Sequence, residues 1–355
     1  MGVTCQILID RPEDGAFKAG RLVTGTLKYF IDKPTKYERI SMCFLGKGDC
    51  EWTETDAKNT LYYQNKEKYI NQIVNVYVRR KSEDFISGGF EYPIQFLLPI
   101  DIPPSFYDKI CTIEYKIIVT FAKANSFSKK NFDVRIPVTS YVNPCTLEPI
   151  TFGLKKNLSF RINNKINVKG EISKTCIKPG DTIHMTLTVN NGTDLAVVIK
   201  TELIKRLTYI SKGNHKKYHE EAVKNTCTIS TVAANAVANL VCLASTYQDL
   251  FSIQHAKVMK GEYMIRLKAK LPFPHANALL DIPVVIGQRK HELIAPPAVY
   301  YEYNREQPST SAMLDQNNKY RNEEDLTKYE KEDLNEDSAK YIKEVNGKGI
   351  VQEEI

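Results

Sequence analysis

His215 and His219, in the stretch "SKGNHKKYHE", are spaced four residues apart, as two metal ligands on one face of a helix would be. No third ligand lies nearby in the sequence, and the stretch is typical of a hairpin between two strands. We therefore interpret it as a basic loop, in which Lys216 and Lys217 stand between the two histidines. We predict no metal site and no other cofactor.

The chain contains none of the short motifs that carry common enzyme chemistry. It lacks the Gly-x-Ser-x-Gly nucleophile elbow, the P-loop, the Gly-x-Gly-x-x-Gly turn and the His-Glu-x-x-His zinc motif. A cysteine paired with a histidine far away in the sequence is the catalytic alternative. Because the cysteines are scattered through predicted strands, packing in the core is favoured, and no catalytic residue is predicted.

The eight cysteines and the amino terminus together indicate a cytoplasmic compartment. No two cysteines form a Cys-x-x-Cys pair, and "MGVTCQILIDRPEDG" lacks the basic and long apolar regions of a secretory signal. We therefore expect reduced thiols that fill the core. The sequons at Asn157 and Asn191 are then chance matches. Cys5 stands where an acyl chain could be attached, although its place at the head of a strand favours burial.

The net charge of +7 is unevenly distributed along the chain. Residues 305–355 contain 8 basic and 13 acidic residues, so residues 1–304 carry +12. A basic body indicates an anionic partner, and the absence of nucleic-acid-binding motifs disfavours DNA and RNA. We predict that Arg79, Arg80 and Lys81, with Lys216 and Lys217, contact an anionic membrane surface or a cargo segment. The alternative is that the cluster is only the solvated end of a strand.

Two further lysine pairs add to the charge of the body. Lys129-Lys130 lies in a predicted hairpin loop, and Lys155-Lys156 lies between the two halves of the chain. Both pairs are interpreted as surface residues that increase solubility.

The first and second halves of the chain repeat one pattern. Apolar and polar residues alternate in "FKAGRLVTGTL" and again in "CIKPGDTIHMTLTVNN", which is the period of a half-buried strand. Both halves continue with further short strands, and helical periodicity is nearly absent before residue 290. One alignment pairs Gly20 with Gly180, Val23 with Ile183, Leu27 with Leu187, and Tyr29 with Val189.

This repeat predicts an all-β fold of two tandem antiparallel β-sandwiches followed by a disordered tail. The predicted boundaries are 1–145 for the first sandwich, 146–156 for a linker, 157–290 for the second sandwich and 291–355 for the acidic tail. The tail is rich in charge and proline and poor in large apolar residues.

Several motifs, in order along residues 5–288, resemble the arrestin fold and within it the α-arrestins. They are "FKAGRLVTGTL", "LGKGDCEWTET", "GGFEYPIQFLLP", "PPSFYDKICTIEYKIIVTF", "CIKPGDTIHMTLTVNN" and "KGEYMIRLKAKLPFPHANALLDIPVVIG". The resemblance implies two sandwiches side by side with concave faces. It also implies a cytosolic adaptor that binds transmembrane receptors or transporters and links them to endocytic or endosomal sorting or to ubiquitination. Its expected location is the cytoplasm, with transient visits to the plasma membrane or endosomes.

Two features depart from the family pattern. α-Arrestin tails typically carry Pro-Pro-x-Tyr, which binds the WW domains of HECT-type ubiquitin ligases, but here Pro296-Pro297 is separated from Tyr300 by two residues. In a polyproline II helix, one inserted residue rotates the tyrosine by about a third of a turn. In addition, the first strand "TCQILID" lacks the lysine pair with which visual and β-arrestins sense receptor phosphates, so that switch is not carried over.

Other function classes remain open on the sequence alone. The alternative to an adaptor is a coat or scaffold subunit, like the arrestin-like subunit of retromer, which shares the fold but assembles permanently. An enzyme and a secreted adhesion protein with tandem sandwiches are more distant alternatives.

Overall fold

The computed structural model describes residues 2–56, 59–79, 85–124, 129–142, 148–158, 165–271 and 275–289. These residues form 22 β-strands and no helix. Accordingly, this part of the chain contains no long apolar helix that could cross a membrane.

The first half forms a sandwich of two sheets. Its strands are β1 (Val3–Ile9), β2 (Phe17–Lys18), β3 (Leu22–Thr35), β4 (Tyr37–Thr55), β5 (Thr60–Val78), β6 (Ile86–Leu97), β7 (Phe106–Tyr107), β8 (Cys111–Lys123), β9 (Lys129–Arg135), β10 (Val138–Thr139) and β11 (Tyr141–Val142). One sheet has the order β1-β3-β6, and the other has the order β5-β4-β8-β7, with β9 also paired to β8.

The core of the first sandwich follows from strict alternation along β8. Ile113, Tyr115, Ile117, Val119 and Phe121 are all buried, while the residues between them are partly exposed. They pack against the inward side chains of the facing sheet in one apolar cluster. Each such side chain contributes about 1.5–3 kcal/mol by leaving water.

The second half repeats this architecture. Its strands are β12 (Ile150–Asn157), β13 (Lys165–Ile172), β14 (Cys176–Ile177), β15 (Thr182–Asn191), β16 (Val197–Ile210), β17 (Lys216–Ala222), β18 (Thr228–Val232), β19 (Ala236–Ser245), β20 (Met259–Lys270), β21 (Ala278–Ile286) and β22 (Gln288–Arg289). One sheet has the order β12-β13-β15-β19, and the other has the order β14-β21-β20-β16-β17, with β18 also paired to β16.

The predicted repeat is confirmed by backbone conformation, strand order and burial. Gly20 and Gly180 both have positive φ, +76° and +89°, immediately before β3 and β15. Glycine adopts this conformation without the steric penalty of a Cβ atom. β3 lies between β1 and β6, as β15 lies between β13 and β19, and the aligned pairs Val23 and Ile183, and Leu27 and Leu187, are all buried.

The structure differs from the sequence predictions at three places. The predicted linker 146–156 overlaps β12, because Ile150–Asn157 pairs along its whole length with β13. The strands are not all short, since β4 and β5 form a hairpin of two 19-residue strands. The expectation of reduced thiols throughout is wrong at Cys176, which is disulfide-bonded.

The two sandwiches are joined by a packed and hydrogen-bonded junction. The Tyr209 hydroxyl, from β16, donates to the Asp108 carboxylate of the first sandwich at 2.5 Å. Asp108 also accepts the backbone N–H groups of Ile110 and Cys111 at 2.8 and 2.6 Å. Burial first, and then this bond, raise the pKa of Tyr209 well above its ordinary value, so its phenol remains a donor. Tyr209 and Val258, both from the second half of the chain, also belong to the buried apolar core of the first sandwich.

Asn191 is a buried polar residue on which the loops of the second sandwich depend. Its side-chain amide donates to the carbonyls of Leu195, Val232 and Ala233 at 2.9, 3.2 and 2.8 Å, and its oxygen accepts from Thr193. The residue has no exposed surface. This position excludes a glycan on the folded chain, so the sequon is indeed a chance match.

We predict that Asn191→Ala lowers the free energy of unfolding by about 2–3 kcal/mol, because several buried groups lose their partners at once. Urea denaturation followed by tryptophan or tyrosine fluorescence measures the change. The adjacent Asn190→Ala is the matched control, since Asn190 is exposed, and it should change stability by less than about 0.5 kcal/mol. Equal losses in the two variants would contradict this account.

Candidate partner-binding groove

Arg79, the first residue of the predicted basic cluster, is an ion-paired residue at the end of β5. Its guanidinium lies 2.7 Å from the Glu38 carboxylate, and its backbone N–H donates to the Glu38 carbonyl. Only 19% of its side chain is exposed. Arg79 is therefore already neutralised by a neighbour. Arg80 and Lys81 lie outside the described residues.

Lys216 and Lys217 begin strand β17 and are not part of a loop, contrary to the prediction. Lys216 pairs with Ile210 in the β16–β17 hairpin, and the intervening loop is residues 211–215. The same strand carries Glu220 and Glu221, which form ion pairs with residues of β16 and β20. The predicted basic loop is thus a mixed-charge strand.

His215 holds that hairpin against the first sandwich. Its Nε2 lies 3.1 Å from the Glu54 carboxylate, and its ring stacks on Tyr63 with centroids 4.3 Å apart. Within the described ranges, no group of three or more His, Cys, Asp or Glu residues could hold a metal ion. His215 therefore forms a contact between the two sandwiches.

The structure does not bring the two parts of the predicted contact together. Arg79 pairs with Glu38 near the start of β4, and the hairpin that bears Lys216 meets Glu54 near its end. Sixteen residues of strand separate those two glutamates, or roughly 50 Å at 3.3 Å per residue if the strand were straight. Arg79 and Lys216 are therefore not neighbours in the fold.

A different basic residue lies at the open edge of the first sandwich. Strand β1 pairs only with β3 among the described strands, so its other side has no backbone partner there. The Lys130 ammonium, from β9, donates to the Val3 carbonyl at 2.8 Å and lies 4.9 Å from the centre of the Phe132 ring. Lys130 thus lies at the start of an edge strand that has no lysine of its own.

Two cavities, of about 740 and 330 Å³, meet at Val3 and Lys130, and we call them together the first-strand groove. The larger is lined by polar and aromatic side chains of the first sandwich, including Thr4, Gln6, Phe30, Phe90 and Phe132. The smaller includes Lys33 and Asp32. Lys28, at the other end of the groove, is paired with Glu91 at 2.8 Å. The groove therefore combines an exposed strand edge, aromatic rings and a local excess of positive charge.

Sequence reasoning missed Lys130, which it placed among residues that only increase solubility. The contact with Val3 joins residues 127 positions apart, and it exists because β9 and β1 border the same side of the sandwich. The one signal in the sequence is the alternation in "SKKNFDVR". It places Lys130 and Phe132 on one face of β9 and Lys129 on the other.

Cys5 lines the groove but is poorly suited to covalent chemistry. Its side chain is partly buried, and burial raises the pKa of the thiol to about 11, against the smaller lowering effect of Lys130. The thiolate is the reactive form, so Cys5 is a weak nucleophile at neutral pH. The arrangement favours binding rather than reaction.

Comparisons with known proteins agree with this geometry. The family model "Arrestin (or S-antigen), N-terminal domain" matches residues 5–143, and "Arrestin (or S-antigen), C-terminal domain" matches residues 163–291. Thioredoxin-interacting protein of Mus musculus is 22% identical over 300 residues, which cover 80% of this chain and 73% of that protein. Arrestin domain-containing protein 5 of Bos taurus is 19% identical over 312 residues, covering 81% and 92%. Arrestin domain-containing protein 17 of Caenorhabditis elegans is 24% identical over 223 residues, covering 58% and 52%.

We predict that maleimide labels the exposed Cys227 much faster than Cys5. With a pKa of about 11, only about one Cys5 in a thousand is a thiolate at pH 8, and labelling should rise about tenfold per pH unit up to pH 11. Mass spectrometry of the two tryptic peptides against time measures both rates. Equal rates at pH 7.5 would contradict the burial of Cys5.

Proposed function

Because the chain belongs to the arrestin family, and within it to the α-arrestins, we propose that it is a cytosolic adaptor for membrane proteins. In this proposal it binds the cytoplasmic segments of transmembrane receptors or transporters and links them to endocytic or endosomal sorting. The protein works in the cytoplasm and visits the plasma membrane or endosomes when it engages a partner.

The observation that supports this function best is the first-strand groove. An extended segment of a partner can add to the free edge of β1, where backbone hydrogen bonds supply affinity. Lys130 favours an acidic segment, since its ammonium lies at the start of that edge. The ring of Phe132, beside Lys130 at the same edge, gives an apolar contact to such a segment. The proposed ligand is therefore an extended, acidic peptide that alternates carboxylate and apolar side chains.

A second element of the proposal is contact with an anionic membrane through residues 79–81. Arg80 and Lys81 are its main cations, since Arg79 is already paired with Glu38. Each Lys or Arg near an anionic leaflet contributes about 1 kcal/mol, so a few such residues give weak and reversible attachment. That strength suits an adaptor that must leave its cargo.

The link to ubiquitination is the weakest part of the family function for this chain. Pro296, Pro297 and Tyr300 lie outside the described residues, and their sequence spacing departs from Pro-Pro-x-Tyr by one residue. We therefore propose that any HECT-type ligase is recruited through another protein. A permanent coat or scaffold subunit remains the alternative function, and it would require the protein to sediment in a large stoichiometric complex from cytosol.

We predict that a fluorescein-labelled dodecapeptide of alternating glutamate and valine binds the protein in fluorescence polarisation, and that Lys130→Glu weakens this binding at least tenfold. Reversal of a charge that faces a bound carboxylate removes an attraction and adds a repulsion. A peptide with lysine in place of glutamate should not bind.

The matched control is Lys129→Glu, which changes the same charge on the opposite face of β9. It should alter binding by less than twofold. If both variants weaken binding equally, the peptide responds only to net charge, and the groove is not its site.

We also predict that the double variant Arg80→Glu/Lys81→Glu loses flotation with phosphatidylserine vesicles at low salt, by roughly thirtyfold or more in partition coefficient. Wild-type protein should float at low salt and dissociate by roughly 0.3 M salt, where charges are strongly screened. The control Lys216→Glu/Lys217→Glu has the same change in net charge at the other end of β4. If the control loses flotation as fully as the first variant, the 79–81 contact is wrong.

A further inference from the structure

Residues 225–248 form a run of 24 residues without a charged side chain or a proline, in a chain that is 26% charged. The run contains β18 and the whole of β19. It begins after Lys224 and ends before Asp249. Such a stretch is unusual on the surface of this protein and needs a physical reason.

Strand β19 is the edge of its sheet. It pairs with β15 along its length and with no other strand among those described. Edge strands expose unpaired backbone groups, and proteins normally protect them with charges, prolines or covering segments. The opposite edge of the same sheet, β12, carries Lys155 and Lys156, and the long edge strand β5 carries Lys66 and Lys68. Strand β19 has neither charge nor proline.

Three of the five exposed side chains of β19 are apolar, and the other two, Asn239 and Ser245, are polar but uncharged. Val237, Val241 and Leu243 are 65%, 70% and 49% exposed, and they lie on the same face of the strand. Strand β1 is also uncharged, but Lys130 lies against its end. Among the described edges, β19 thus combines length, neutrality and exposed apolar side chains.

We propose that β19 is a self-association edge, which pairs antiparallel with β19 of a second copy of this chain about a two-fold axis at Asn239. The sequence around Asn239 is nearly symmetric, since Val237 and Val241 stand two residues to either side of it. This axis places Val237 opposite Val241 of the second copy, and cross-strand β-branched pairs are favourable. An edge without charge also meets its own copy without repulsion. The product is a continuous eight-stranded sheet.

A single pair of ten-residue strands buries less than the roughly 800 Å² per partner that stable interfaces use. The association is therefore weak, with dimers at micromolar concentration and above. It leaves the first-strand groove open in each copy, so the dimer presents two such grooves. The inference itself does not rest on the proposed function.

The direct test is a cysteine crosslink at the axis. In a Cys227→Ser background, which removes an exposed thiol, Asn239→Cys places two thiols opposite each other across the interface. Paired strands have Cα separations of about 4.5–5.5 Å, within the range of a disulfide. Treatment of the full chain with diamide should give a dimer on a non-reducing gel that dithiothreitol reverses. Thr186→Cys, exposed on the neighbouring strand of the same face, should not crosslink.

The second test is sedimentation velocity of the full chain from 1 to 200 µM. Wild-type protein should shift toward dimer with concentration, and Val241→Lys should remain monomeric, because it places a charge at the edge without touching the core. Leu279→Lys, at a 50% exposed residue of β21, should behave as wild type. A monomer at every concentration, or equal association of Val241→Lys and wild type, overturns the proposal. Association without the Asn239→Cys crosslink overturns pairing about this axis.

Discussion

The junction between the two sandwiches is the contact on which the rest of the structure depends. Asp108 is a carboxylate at the domain boundary that receives two backbone N–H groups and the Tyr209 hydroxyl. Asp108 is half-buried, and a hydrogen bond to such a charged group contributes about 1.5–3 kcal/mol, which is a large part of a domain's total stability. The bond therefore holds the end of β16, at Tyr209, against the first sandwich. It also sets the position of the hairpin that follows and carries His215.

That fixed junction explains why the binding surfaces that we propose lie at the outer edges of the sheets. The faces that meet at the junction are filled, as Tyr209 and Val258 of the second half complete the core of the first. What remains available is the set of strands with one unpaired side. Most of these are protected by charge, as on β5, β12 and β17. Two long edges without such charges, β1 and β19, are the ones to which we assign partners.

The sequence was sufficient for the fold because its main signals are local. Alternation with period two defines the strands, and two glycines that need positive φ fix the repeat to the residue. The errors concern non-local facts. The contact of Lys130 with Val3 joins residues 127 positions apart, and the disulfide at Cys176 depends on which thiols the fold brings together. Arg79 and Lys216 were predicted to share one anionic contact, and strand pairing instead places their regions beside opposite ends of β4.

Net charge was a poor guide to the location of a site for a related reason. The first 304 residues carry +12, yet many of their cations are held in pairs within the sheets, as Arg206 and Arg266 are with Glu220. Two nitrogens of Arg266 also donate hydrogen bonds to the Asp281 carboxylate, and these bonds lower the pKa of that carboxyl. Such pairs link neighbouring strands, but their charges cancel and exert little electrostatic attraction on a binding partner. The binding site that we propose therefore rests on the single lysine that topology leaves beside the open edge of β1, and not on the total charge.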